Sequence, residues 1–120
     1  MLAKIDQIAS DLLLAAERLE HAGWVRGCRL TDEGQMCLLG AIDTVNQNLF
    51  RNEHRKRLAR VITITKKGFD TYNLSYVGPD SCAGAKIAYW NNMICKDQDE
   101  AVAKLREAAY LPVEEVCDAI

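Results

Sequence analysis

Apolar residues recur at three- and four-residue steps over the first 22 residues, which is the spacing of one face of an amphipathic helix. The large residues on this face are Leu2, Ile5, Ile8, Leu12 and Leu19. Gly23 follows the segment, and glycine ends helices well because it adopts the left-handed backbone conformation without strain. The pattern predicts a helix over residues 2–22.

A second helical pattern lies between residues 36 and 50, where Leu38, Ile42 and Val45 share one face. Gly40 stands inside this segment, although glycine in a helix interior costs about 1 kcal/mol relative to alanine. We therefore predict that another part of the chain packs closely against Gly40.

Residues 53–66 are compatible with a third helix, with Leu58, Val61 and Ile62 on its apolar side. The β-branched run at 61–65 is equally typical of a strand. The pattern leaves both alternatives open for 61–65.

Turn signals divide the rest of the chain. The segment Asp32-Glu33-Gly34 predicts a small β-hairpin that pairs residues 28–30 with 35–37. Residues 68–84 are predicted to form a loop, because Gly, Pro, Asp and Ser cluster in its second half.

Two helices are predicted nearer the C-terminus. Residues 85–93 form the first of them. Asp97, with Glu100 three residues later, approximates a capping box, so the second helix begins there. Pro112 ends it and can open a last short helix.

Together these elements predict a mainly α fold, namely a compact bundle of four to five helices with a short β-hairpin near residues 28–37. A chain of 120 residues suits one domain, because a separate core usually needs about 100 residues. We therefore predict a single helical domain over residues 1–120. The apolar fraction of 49% is that of an ordinary globular protein.

Charge and cysteine content reduce the number of function classes that are compatible with the sequence. A net charge of −2 does not by itself attract nucleic acid or an anionic membrane. The apolar stretches are far shorter than the roughly 20 residues of a membrane span. The five cysteines lack the spacing of a metal site, so we predict reduced structural thiols in a cytoplasmic protein, with no metal and no cofactor.

Cys37 is the best candidate for chemistry, because it stands near the start of the second predicted helix, whose dipole can lower a thiol pKa. Its general base would be His21 or His54. The apolar run Met36-Cys37-Leu38-Leu39 instead predicts burial, and a buried thiol is inert. We predict no catalytic residue and do not expect an enzyme, while a cysteine-based enzyme stays the alternative.

Seven basic residues stand between positions 51 and 67, with Glu53 as the sole acid. Such a segment can bind an acidic protein surface, bind nucleic-acid phosphates, or form a solvated helix face. The slightly acidic chain makes nucleic acid the weaker of these alternatives. The predicted partner-binding residues are Arg51, Arg55, Arg57, Arg60, Tyr72 and Tyr76.

Several short motifs occur in a familiar order. They are Gly23-Trp24 with Gly27, the hexapeptide 37–42, the pentapeptide 87–91, and Ala108-Ala109. Together they resemble an uncharacterised family of small helical proteins of actinobacteria and their phages. The resemblance implies a compact helical fold and a phage or mobile-element origin, and it implies no catalytic residue. This sequence has Trp90-Asn91-Asn92 where the family is expected to have tryptophan, asparagine and aspartate.

The sequence thus predicts a non-catalytic, phage-encoded accessory protein that binds a host or phage protein, for example as an inhibitor. One alternative is a small-molecule or nucleotide-binding protein, or a cysteine-based enzyme using Cys37. The other is nucleic-acid binding through the 51–67 segment. No membrane partner is expected, and homo-oligomerisation stays open.

Overall fold

Within residues 6–45, 51–70 and 83–116, which the computed structural model describes, the chain forms five α-helices. They are α1 (Gln7–Ala22), α2 (Leu38–Thr44), α3 (Arg51–Asp70), α4 (Ala83–Tyr89) and α5 (Gln98–Ala109). A π-helical turn, Trp90–Ile94, continues α4, and a 3-10 turn, Val113–Glu115, follows α5. The prediction of a mainly α fold is confirmed.

The first helix is bounded by local signals at both ends. The carboxylate of Asp6 accepts a hydrogen bond of 2.8 Å from the amide of Ala9, which makes Asp6 the N-cap. Gly23 has a φ of +99°, and its amide donates to the carbonyl of Leu19. The helix therefore ends where the glycine predicted, while residues 2–5 of the predicted segment lie outside the described residues.

The apolar stripe of α1 packs on α5, and within the described residues this is the most extensive contact between two helices. Leu12, Leu19 and Leu105 are fully buried there. Buried apolar residues from all five helices form one continuous cluster. Burial of this surface supplies most of the favourable free energy of folding.

The capping prediction for α5 is confirmed with a small variation. The carboxylate of Asp97 accepts from the amide of Glu100 at 2.9 Å. The side chain of Glu100 accepts in return from the amide of Lys96, at 3.0 Å, rather than from that of Asp97. Two amides that would otherwise lack partners at the helix start are thereby satisfied.

Gly40 in α2 lies against the chain at Arg29. A Cβ atom added to Gly40 would collide with the backbone carbonyl of Arg29, so the predicted close packing is confirmed. The helix is shorter than the predicted 36–50: it ends at Thr44, and Val45 is already extended. Residues 46–50 lie outside the described residues.

The ambiguous run at 61–65 is helical, because it lies within α3. Val61 and Ile62 are buried in the core. The hydroxyls of Thr63 and Thr65 donate to the carbonyls four residues earlier, Ala59 and Val61, at 2.8 and 2.9 Å. Threonine is accommodated in a helix in this way, and tertiary burial overrides the β propensity of the run.

The predicted hairpin is reduced to a turn with isolated bridges. Leu30 forms an antiparallel bridge with Met36, and Trp24 forms a parallel bridge with the same residue. The amide of Thr31 donates to the carbonyl of Gln35 at 2.8 Å. No named strand occurs in residues 6–45, which fits the marginal stability of a two-stranded ribbon.

The predicted helix over 85–93 begins earlier and changes its winding. α4 starts at Ala83, and from Trp90 the chain continues as a π turn in which the amide of Cys95 donates to the carbonyl of Trp90 at 2.9 Å. Much of the predicted loop 68–84, including Tyr72 and Tyr76, lies outside the described residues. Of the described helices, none is long and apolar enough to span a bilayer.

Candidate binding site

A groove of about 360 Å³ opens between the loop that follows Val25 and helix α4. Its lining residues come from that loop, the start of α2, α4 and the π turn: Gly27, Cys28, Arg29, Cys37, Leu39, Gly84, Ala85, Ala88 and Asn92. Among these residues Arg29 carries the single formal charge. The volume lies near the lower end of the range for ligand sites, and this concavity is hereafter called the groove.

Asn91 holds the two sides of the groove together. Its Oδ1 accepts from the indole Nε1 of Trp24 at 2.6 Å and from the amide of Leu38 at 2.9 Å. Its Nδ2 donates to the carbonyl of Val25 at 3.1 Å. Because Asn91 is fully buried, these bonds are shielded from water and fix the loop and the start of α2 to the π turn.

Asn92 extends this connection to the surface. Its Oδ1 accepts from the amide of Gly27 at 2.8 Å and from Nδ2 of Asn91 at 3.0 Å. A carboxylate oxygen could accept the same two bonds, so the asparagine preserves the contacts that the aspartate expected from the resemblance would make. Its Nδ2 has no hydrogen-bond partner in the described part of the chain.

Arg26 anchors the loop a second time. Its Nη2 donates to the carbonyl of Cys95 at 2.6 Å and to that of Lys96 at 3.1 Å. The guanidinium also lies 4.7 Å from the centre of the Trp24 ring, within cation–π range. The backbone of the loop is therefore tied to the π turn at several points beside the groove.

Cys37 is buried, as its apolar neighbours predict, with 4% of its surface exposed. It is the N-cap of α2, and its sulfur accepts from the amide of Gly40 at 3.3 Å. Burial raises the pKa of the thiol, which opposes formation of the nucleophilic thiolate. Although Cys37 contributes to the wall of the groove, its raised pKa favours the protonated thiol, which is a poor nucleophile.

Neither histidine considered as a base is bonded to Cys37 in the part of the chain that the structure describes. His21 is exposed near the end of α1 and lines a separate hollow on that helix. His54 lies between two other residues, with Nδ1 2.9 Å from Nη2 of Arg57 and Nε2 3.3 Å from Oδ1 of Asp43. The predicted alternative of a cysteine–histidine pair is therefore not assembled.

Two of the predicted partner contacts are instead part of the interior. Arg57 is 2% exposed, and its Nη1 donates to the carbonyl of Val45 at 2.6 Å. The same Nη1 lies 3.7 Å from Oδ2 of Asp11, which is also buried. Buried ion pairs of this kind are costly to break, because the remaining charge has no solvent to stabilise it.

Arg60 is 6% exposed and joins three helices. Its Nη2 donates to Oδ2 of Asp6 at 2.5 Å, and Nη1 donates to the carbonyl of Ala109 at 3.4 Å. Burial would raise the pKa of Asp6, but the amide of Ala9 and the guanidinium of Arg60 together lower it. Arg60 therefore stabilises the packing of α3 on α1 and α5.

Arg57 and Arg60 therefore do not lie on a solvated helix face, which was one alternative for the basic run, and their predicted role in partner binding stays a prediction. Their side chains face the core, since both find carboxylates and carbonyls there. Arg55 is exposed and remains available to a partner. The side chain of Arg51, together with Tyr72 and Tyr76, lies outside the described residues.

Sequence reasoning singled out Cys37, and the resemblance included Asn91 and Asn92, but none of these residues was assigned to a binding groove. Arg29 was missed, because it belongs to no charge run. The one available signal was a pair of asparagines directly after a tryptophan in an otherwise apolar segment, because buried amides usually have a specific hydrogen-bonding role.

Comparison with known protein families gives a match over most of the chain. Residues 4–111 match the model of a family described as a family of unknown function (DUF6197). Searches of curated proteins and of solved structures gave no match.

Proposed function

The chain belongs to this family of unknown function, and we propose that it is a non-catalytic accessory protein that binds a protein partner in the groove. The observation that carries the proposal is a concave surface whose walls are held by buried amide hydrogen bonds. A preformed surface of this kind loses little conformational entropy on binding.

Exposed apolar side chains near the groove favour a protein as its partner. Leu30 follows the lining residue Arg29 in the chain, and Met93 follows the lining residue Asn92. Leu30 is 58% exposed and Met93 is 61% exposed. Large apolar residues at the edge of a concave site are typical of protein interaction surfaces.

The same surface extends toward α3 through exposed cations. Arg29 and Lys56 have side chains that are 68% and 65% exposed, and Arg55 is exposed between His54 and Lys56. Arg55 therefore stays a proposed partner contact. Arg57 and Arg60 contribute indirectly, because they hold α3 in place.

The state of Cys37 supports a non-catalytic role. Burial raises the pKa of its thiol, and the two histidines bond elsewhere or lie on another surface. We also propose a cytoplasmic location, which the free thiols of Cys28, Cys37 and Cys95 favour. From the motif resemblance we also propose a phage or mobile-element origin and action on a host or phage protein. Identifying the genes that neighbour this one in the genome tests the proposed origin.

Blocking the groove tests the proposal. Ala85 is an exposed lining residue of α4, so Ala85→Trp fills the groove without disturbing the core. Ala103 is exposed on α5 and gives the matched control Ala103→Trp. We expect tagged wild-type protein and Ala103→Trp to capture the same partner from nuclease-treated lysate of the native host, and Ala85→Trp to lose it, as measured by mass spectrometry.

Circular dichroism and thermal unfolding verify that both variants fold. Equal capture by Ala85→Trp and Ala103→Trp would remove the groove as the binding site. Loss of capture on nuclease treatment would favour the nucleic-acid alternative.

A further inference from the structure

Arg29 is the residue of the groove most able to change its partner. Its Nη1 lies 3.3 Å from Oδ2 of Asp43 in α2, and its side chain is 68% exposed. Exposed ion pairs are weak, because water stabilises the separated charges almost as well. A second carboxylate that enters the groove can therefore compete with Asp43 for the guanidinium.

Asp43 does not lose all of its partners when Arg29 moves. Its Oδ1 lies 3.3 Å from Nε2 of His54, and Nδ1 of His54 lies 2.9 Å from Nη2 of Arg57. A guanidinium is always a donor, so Nδ1 must accept, and the ring proton is then on Nε2. His54 therefore donates to Asp43 whether or not Arg29 is bound there.

We propose that Arg29 exchanges Asp43 for a carboxylate of the partner, so that the groove takes an acidic segment of a protein, an Asp or Glu flanked by small apolar residues. The inference rests on the proposed function and specifies its partner. Charge complementarity carries it, because Arg29 is the single charged residue among the lining residues that the structure describes. Gly27, Gly84 and Ala85 leave room for a peptide backbone, and Leu39 offers an apolar contact.

The exchange has a consequence for His54. The charged groups that face it are Arg57 from α3, Asp43 from α2 and Arg29 from the loop, with Asp11 of α1 behind Arg57. Burial, Arg57 and Arg29 lower the pKa of His54, while Asp43 raises it. When a ligand carboxylate neutralises Arg29, one of the lowering influences is removed, so the pKa of His54 rises on binding.

The rise in the pKa of His54 on binding determines whether the affinity for the ligand increases or decreases with pH. A ligand that raises the pKa of His54 binds the protonated protein more tightly than the neutral one. Affinity therefore increases as the pH falls through the pKa of His54, as long as the carboxylate of the ligand stays ionised.

A pair of synthetic peptides provides the probe. The first is acetyl-Ala-Gly-Glu-Ala-Leu-amide, and the second has glutamine in place of glutamate. Each is titrated to about 5 mM, above the roughly 1 mM dissociation constant of a weak ligand, into the full-length 15N-labelled protein. We expect the glutamate peptide to shift the side-chain Nε–H signal of Arg29 and the amides of Gly27 and Cys28, and to raise the pKa of His54 measured from its ring signals. The glutamine peptide should do neither.

Three variants test which charged residues contribute to peptide binding. Arg29→Gln should abolish the shifts of the Gly27 and Cys28 amides and of His54, while Arg106→Gln should not, because Arg106 forms a similar exposed pair with Glu20 at 3.3 Å on another surface. Asp43→Asn keeps an acceptor for His54 and removes the competing charge, so it should tighten peptide binding by about 1.5- to fivefold, the equivalent of a typical exposed ion pair.

The outcomes distinguish this inference from the proposed function. If Ala85→Trp loses partner capture but Arg29→Gln captures normally, the groove binds the partner and the acidic-segment inference is overturned. Equal shifts with both peptides, or none with either, also overturn it. Loss of the shifts in Arg29→Gln, with a normal thermal unfolding curve, supports it.

Discussion

Two sides of the protein are held together by different interactions. α1 meets α5 through apolar residues at helical spacing, such as the fully buried Leu12 and Leu105. On the groove side, Asn91 bonds to atoms of Trp24, Val25 and Leu38. Apolar burial is non-directional, whereas each amide bond requires a particular donor or acceptor in a particular place.

This difference indicates which side stabilises the fold and which side determines the shape of the groove. Apolar contacts contribute free energy roughly in proportion to buried area, and they tolerate small shifts. A buried amide network contributes little net free energy, but it is costly when half-satisfied and so selects one arrangement. We therefore expect changes on the α1–α5 side to act on global stability and changes at Asn91 or Asn92 to act on the groove.

The largest effect should come from Leu12→Ala. Leu12 is fully buried, and removing a buried leucine side chain costs about 2–5 kcal/mol. Leu14, two residues later in the same helix, is 40% exposed, so Leu14→Ala should change the stability by less than about 0.5 kcal/mol. Urea unfolding followed by circular dichroism measures both. Similar losses in the two variants would contradict the assignment of the core face of α1.

A smaller and more local effect is expected from Asn91→Ala. The change leaves the buried amide of Leu38 without an acceptor, at about 1–3 kcal/mol, whereas the half-buried indole of Trp24 can bond to water instead. Hydrogen exchange should accelerate at Leu38 well beyond the change at α1 and α5. Asn92→Ala, which removes a half-buried acceptor, should cost less. Uniform acceleration across all helices would show that the groove side is not a separate unit.

The smallest effect on stability is expected from Asn92→Asp. A carboxylate can accept from Gly27 and Asn91 as the amide does, so unfolding should change by no more than about 0.5 kcal/mol. The added negative charge should weaken binding of the glutamate peptide, as measured by the same titration. A large loss of stability would mean that Nδ2 of Asn92 donates a hydrogen bond that stabilises the fold.

The sequence predicted the elements whose signals are local. The stripe that contains Leu12, the glycine at 23 and the cap at Asp97 are each read within a few residues of their effect. The close packing at Gly40 was also predictable, since a glycine inside a helix implies a close neighbour. The sequence did not show that this neighbour is Arg29.

The rest could not be predicted because its causes are far apart in the chain. Asn91 forms hydrogen bonds with residues 53 to 67 positions away in the chain, and no local sequence pattern predicts such partners. The burial of Arg57 and Arg60 could not be predicted, because a run of basic residues usually lies in solvent, whereas here Asp11 of α1 and its N-cap Asp6 supply charges of opposite sign. The predicted roles of Tyr72 and Tyr76 stay predictions.

At the π turn Trp90–Ile94, the number of residues determines the direction in which the side chains point. Each residue of an α-helix rotates the chain by about 100°, so a one-residue gap that restored ordinary α winding would swing Asn92 away from the amide of Gly27. A relative shortened there could keep the same helix content and apolar periodicity and yet present a different recognition surface. When sequences related to this one are aligned, a single gap at this turn should therefore be weighed more heavily than several substitutions elsewhere.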